Sequence, residues 1–98
     1  MELLRQMKEL TQLRGISGCE DQVREYLIQR IQGHCDSYEV DNMGNLIVHK
    51  RGKKAPEKKV LFSAHMDEVG FIVTHITPEG MLHFETVGGV TPAVTAGR

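Results

Sequence analysis

The spacing of apolar residues changes near Ser37, and that change confines the chain to a mixed α/β arrangement. Before it, Leu3, Leu4, Met7, Leu10 and Leu13 recur at three- and four-residue steps, which predicts a helix from Glu2 to Leu13 with one apolar stripe. Arg14-Gly15-Ile16-Ser17-Gly18 interrupts the pattern. Ser17 and Glu20 have the S-x-x-E spacing of a capping box, so a second helix is expected to open there and run to about Gln32. Val23, Tyr26, Leu27, Ile28 and Ile31 form its expected buried face, and Gly33 its stop.

Beyond Ser37 the period is two. Tyr38-Glu39-Val40 and Leu46-Ile47-Val48-His49 read as a hairpin around the turn residues Asp41-Asn42-Met43-Gly44-Asn45. Val60-Leu61-Phe62-Ser63-Ala64 is nearly all apolar or small, the pattern of a central strand covered on both faces. Phe71 to Ile76 and Met81 to Glu85 predict a second hairpin around Thr77-Pro78-Glu79-Gly80. In that register Ile76 opposes Met81, His75 opposes Leu82 and His83 opposes Thr74. His75 and His83 are then expected on opposite faces, unable to share an ion. The element order predicts an α/β layer on a mixed sheet. No internal repeat is present, and Ala96-Gly97-Arg98 reads as a cut end without a capping element.

Composition narrows the function. With 98 residues, 40% of them hydrophobic, the chain suits one small domain and not a large two-domain enzyme. Twelve basic and thirteen acidic residues leave a net charge of -1, so no global field favours nucleic acid or an anionic membrane. The run Lys50-Arg51-Gly52-Lys53-Lys54, continued at Lys58-Lys59, reads as a solvated turn between strands. No apolar run approaches the roughly 20 residues of a membrane span, and Met1-Glu2-Leu3-Leu4-Arg5 lacks the form of a secretory signal. Cys19 and Cys35 lack CxxC spacing and read as free thiols of a reducing cytosol. Adjacent side chains in His34-Cys35-Asp36 diverge and do not suggest a shared ion.

The chemistry concentrates in Ala64-His65-Met66-Asp67-Glu68-Val69-Gly70. His65 follows the predicted buried strand, at the kind of sheet rim where α/β proteins bind ligands. In extended geometry Asp67 shares its face, and a carboxylate that holds one ring nitrogen leaves the other free for a cation. Glu68 points to the other face, so it makes no acid/base pair with Asp67. An H-x-D triplet alone is common, and a strand-end histidine is more often a hydrogen-bonded surface residue.

Four segments in series sharpen this reading. Gly15-Ile16-Ser17-Gly18-Cys19-Glu20, Asp41-Asn42-Met43-Gly44-Asn45-Leu46, Ala64 through Phe71, and Val87-Gly88-Gly89 together resemble the tetrahedral metalloaminopeptidases. That family includes glutamyl and deblocking aminopeptidases, some once labelled cellulases or endoglucanases. The resemblance extends over essentially the whole chain. It implies a cytoplasmic exopeptidase that uses two divalent metal ions, zinc or cobalt, to remove N-terminal residues from peptides. It also implies self-association into a homo-oligomer, as large as a dodecamer in the full-length protein. His65 matches the first histidine ligand. Asp67, the candidate catalytic residue, matches the carboxylate that orients it, and the Asp41 to Leu46 segment reads as a structural turn.

By the same resemblance, residues 1–70 are the N-terminal part of a mixed-sheet zinc-peptidase catalytic domain. Residues 71–98 begin an inserted β-rich dimerisation domain. The family's other ligands (a bridging Asp, two acidic residues and a distal His) and its general-base Glu follow that insert. This stretch alone is therefore expected to be inactive, since a catalytic zinc site normally needs three protein ligands. The reading from a different class is a non-catalytic oligomerisation module, motivated by unpaired strand edges from Phe71 onward. A glycoside hydrolase is the weakest reading, because no pair of carboxylates is positioned to flank a sugar.

Overall fold

A computed structural model describes residues 1–54 and 57–97. It contains helices α1 (Glu2–Gln12) and α2 (Asp21–Ile31), strands β1 (Ser37–Val40), β2 (Leu46–His49), β3 (Gly70–Ile76) and β4 (Leu82–Val87), and a short 3-10 turn at Pro92–Val94. None of the described helices is long and apolar enough to cross a membrane. The helices lie where the three- and four-residue spacing predicts them, but α2 opens later than a Ser17 cap requires. The Cys19 amide donates to the Ile16 carbonyl, and Gly18 N donates to the Glu20 carboxylate at 2.8 Å. These bonds hold the segment as a turn, so Glu20 becomes the N-cap residue without a side-chain cap bond. On α2, Val23 is buried, whereas Tyr26, Leu27, Ile28 and Ile31 are half-buried.

Polar side chains join the two helices. Glu9 accepts a hydrogen bond from Tyr26 Oη at 2.7 Å and another from the Arg30 guanidinium. The Tyr26 bond first, and Arg30 after it, hold the Glu9 carboxyl below its ordinary range. Leu3, Leu4 and Met7, the start of the α1 stripe, remain exposed.

β1 and β2 pair antiparallel, with Ser37 opposite His49 and Val40 opposite Leu46. Asp41 organises their turn. Its carboxylate accepts from the Met43 and Asn45 amides and from the Asn45 side chain at 2.8–2.9 Å. β3 and β4 form a second antiparallel pair whose register corrects the expected one. Gly80, at φ 85°, closes a three-residue loop, and Thr77 N donates to the Met81 carbonyl. Ile76 therefore opposes Leu82, and His75 opposes His83. Thr74 is then the extra residue of a β-bulge, beyond which Val73 opposes Phe84, back in step with the expected register. The bulge shifts the register by one residue near the turn, so the two histidines face each other instead of lying on opposite faces.

The expected central strand is absent. Residues 60–64 carry no ladder, and Val60, Leu61 and Phe62 are 77%, 90% and 92% exposed. A run of apolar residues becomes a strand only beside a hydrogen-bonding neighbour. Among the described residues none lies next to it, so two separate two-stranded sheets replace the single mixed sheet. Lys50, Arg51, Gly52, Lys53 and Lys54 are exposed, as a solvated turn requires, but no strand follows them directly; Ala55 and Pro56 lie outside the described residues, as does Arg98. Val23 is the single buried apolar side chain among the described residues. The radius of gyration is 18.3 Å, against about 13 Å for a compact chain of this length. The described residues thus make a small mixed α/β structure without a closed core.

Candidate metal-binding site

Two close approaches position the His65 segment. Glu68 N donates to the Gly15 carbonyl at 2.8 Å, and Ile16 and Glu68 form an isolated parallel bridge. The contact depends on absent side chains. A Cβ on Gly15 would stand 2.7 Å from Val23 Cγ2, and one on Gly70 would overlap the Ile16 Cγ2 methyl. The loop between the helices thereby anchors the C-terminal end of the motif.

His65 and Asp67 share a face without a strand ladder. His65 Nδ1 lies 2.9 Å from Asp67 Oδ1 and 3.0 Å from the Asp67 carbonyl oxygen. An ionised carboxylate and a carbonyl only accept, so Nδ1 carries a proton, and in the neutral ring Nε2 keeps its lone pair. The His65 side chain is 84% exposed and that of Asp67 40%, so Nε2 is open to solvent. Imidazole with a fixed tautomer and a free Nε2 is a donor suited to zinc or cobalt. Among the described residues no group of three or more His, Cys, Asp or Glu side chains gathers around one point. The described residues thus present His65 with its Nδ1 held by the Asp67 carboxylate and its Nε2 facing solvent.

A concavity of about 170 Å³ lies beside the ring, lined by Glu20, Met43, Gly44, Asn45, Ala64, His65, Met66 and Asp67. The β1–β2 turn is thus a wall of the site as well as a structural turn. Arg24 fixes it there, donating from Nε to the Gly44 carbonyl at 2.8 Å while Nη1 bonds Asp21 at 2.6 Å. The sequence reading did not place Glu20, Arg24 or Asn45 at the site. The turn's composition signals its shape, but nothing in it signals which surface it meets.

Residues 44–98 match the M42 glutamyl aminopeptidase family. The chain belongs to that family. Among its M42 relatives, the glutamyl aminopeptidase of Lactococcus lactis is 37% identical over 98 residues, covering 100% of this chain and 28% of that protein. A Thermotoga maritima crystal structure described as an endoglucanase superposes with a TM-score of 0.80 at 47% identity, covering 89% of this chain and 28% of the other. PhTET1-12s, solved as a dodecamer, superposes with a TM-score of 0.77 at 45% identity, covering 93% and 27%. The chain spans about a quarter of the length of the curated relatives it matches, 25% and 28% in the first two.

Proposed function

We propose that this M42 chain is the N-terminal part of a cytoplasmic, binuclear metal-dependent aminopeptidase that removes N-terminal residues from peptides. The observation that carries the reading is the His65–Asp67 pair, which leaves Nε2 free at the edge of an open concavity. In this reading His65 holds one of two zinc or cobalt ions through Nε2. Asp67 acts through His65, fixing its tautomer and ring direction, and is a positioning residue. What a divalent cation contributes when bound is Lewis acidity toward the scissile carbonyl. Met43, Gly44 and Asn45 restrict the approach to the ring, and Arg24 keeps that wall in place.

Residues 1–70 belong to the catalytic domain in this proposal, and 71–98 begin an inserted β-rich dimerisation domain. The exposed Phe71, Val73, Leu82 and Phe84 support a role for the second hairpin in contacts beyond itself. The dodecameric relative supports self-association of the full-length protein. The 98-residue chain alone, with one candidate ligand, is expected to be inactive. The glycosidase reading gains nothing from the site, because the Asp67 carboxylate is committed to His65.

The test is hydrolysis of aminoacyl chromogenic substrates by the full-length protein, with metal content measured in parallel. His65→Ala is expected to abolish turnover and lower bound metal. Asp67→Asn is expected to lower metal affinity by roughly 10- to 100-fold, as loss of an orienting carboxylate does. Wild-type turnover by the His65→Ala protein at full metal stoichiometry rules the assignment out.

A further inference from the structure

We propose that His75 and His83 form a second metal site, a two-imidazole pair for a divalent transition ion such as Zn²⁺, Ni²⁺ or Cu²⁺. The bulge at Thr74 sets these residues directly opposite each other on β3 and β4. Their ring centres are 5.6 Å apart, with the planes inclined at 61°. Two imidazoles on one tetrahedral ion, at Zn–N distances of about 2.0–2.1 Å, have ring centres roughly 5.2 Å apart. The ring centres are therefore close to chelating separation, and binding turns one nitrogen of each ring toward a common point.

The backbone holds this pair firmly. Ile76 opposite Leu82 on one side and Val73 opposite Phe84 on the other fix the strands around it. Both histidines are exposed, so an ion reaches them without opening a core. Glu85 lies two residues beyond His83 and so shares its face, adding a carboxylate that favours a cation. No third ligand is assembled among the described residues, so water completes the coordination. Imidazole donors select Zn²⁺, Ni²⁺ and Cu²⁺ over Mg²⁺ and Ca²⁺. This site uses no residue of the His65 motif and stands or falls independently of the peptidase reading.

The experiment titrates Zn²⁺ alone into the 98-residue chain carrying His65→Ala, following histidine ring ¹⁵N shifts and binding heat. His75 and His83 are expected to shift together at one equivalent, and Mg²⁺ to leave them unchanged. His83→Gln is expected to weaken binding roughly tenfold or more by removing one of two ligands. The paired change Leu82→His/His83→Leu keeps the number of histidines and moves one of them to the opposite face, so it is expected to weaken binding equally. Unchanged affinity in that variant shows that any flexible histidines suffice, which overturns the proposal. Unshifted His75 and His83 rings at saturating Zn²⁺, or equal shifts with Mg²⁺, overturn it as well.

Discussion

Residues 1–51 and residues 60–87 are organised by different forces. In the first region, polar side chains tie separate elements together: Glu9 joins α1 to Tyr26 and Arg30, Arg24 joins α2 to the Gly44 carbonyl, and Lys50 Nζ donates to the His34 carbonyl at 2.6 Å. Each bond has a direction, so elements that bury little apolar surface still meet in a defined way. The second region has apolar residues in plenty and few such ties. Phe71 and Phe84 pack edge to face at 4.8 Å between ring centres, yet both remain exposed, as do Leu61 and Phe62. Apolar surface provides drive without direction. A region that relies on it stays open until a complementary surface covers it.

Amide hydrogen exchange on the 98-residue chain tests that contrast most strongly. The Val60–Phe62 amides carry no ladder and are expected to exchange on the order of a hundredfold faster than paired amides inside β3 and β4. Comparable protection in both segments erases the distinction. A covering surface supplied in the longer protein is expected to slow the first set selectively.

A smaller effect is expected where the two regions touch. Gly70→Ala drives a methyl group into Ile16 Cγ2 and is expected to cost about 1–3 kcal/mol in denaturant unfolding, as overpacking does. His65 ring resonances should broaden with it, because the Ile16–Glu68 bridge anchors the motif. A neutral result means that the bridge does not hold the site.

The smallest effect sharpens the polar side of the comparison. Hydrogen bonds from the Asn45 side chain, then the Asn45 and Met43 amides, hold the Asp41 carboxyl below its ordinary value of 3.8. A carboxylate depressed on folding stabilises the turn fully above the unfolded value and loses that contribution as pH falls through the lower folded one. An NMR titration should therefore show the β1–β2 turn intact at pH 5 and loosening only below about pH 3.8. Loosening near neutrality contradicts the role given to Asp41.

What the sequence reveals follows the range of the interactions involved. Both helices and both hairpins are legible, because spacing and turn residues act over a few positions. The Asp41-to-Asn45 turn is legible for the same reason. The contact between His65 and Asp67 is too, since a spacing of two residues keeps the partners within reach. Its setting at the rim of a buried strand is not, because Val60 to Ala64 need a neighbouring strand that the apolar pattern cannot supply. Glu20 shows a local ambiguity, since the same carboxylate serves a capping box or the Gly18 amide. Thr74 shows the limit of alternation, for the residues of β3 fit a regular strand and a bulged one equally well.

The link between Ile16 and Glu68 also sets an order of events. It joins positions 52 residues apart in sequence, and closing so long a segment costs roughly 3–4 kcal/mol of chain entropy. That bridge, which includes the Glu68-to-Gly15 amide bond, does not offset the cost alone. Helix α2 and the first hairpin, which lie between those positions, must shorten the intervening chain beforehand, so the His65 imidazole takes its place late, after they have folded.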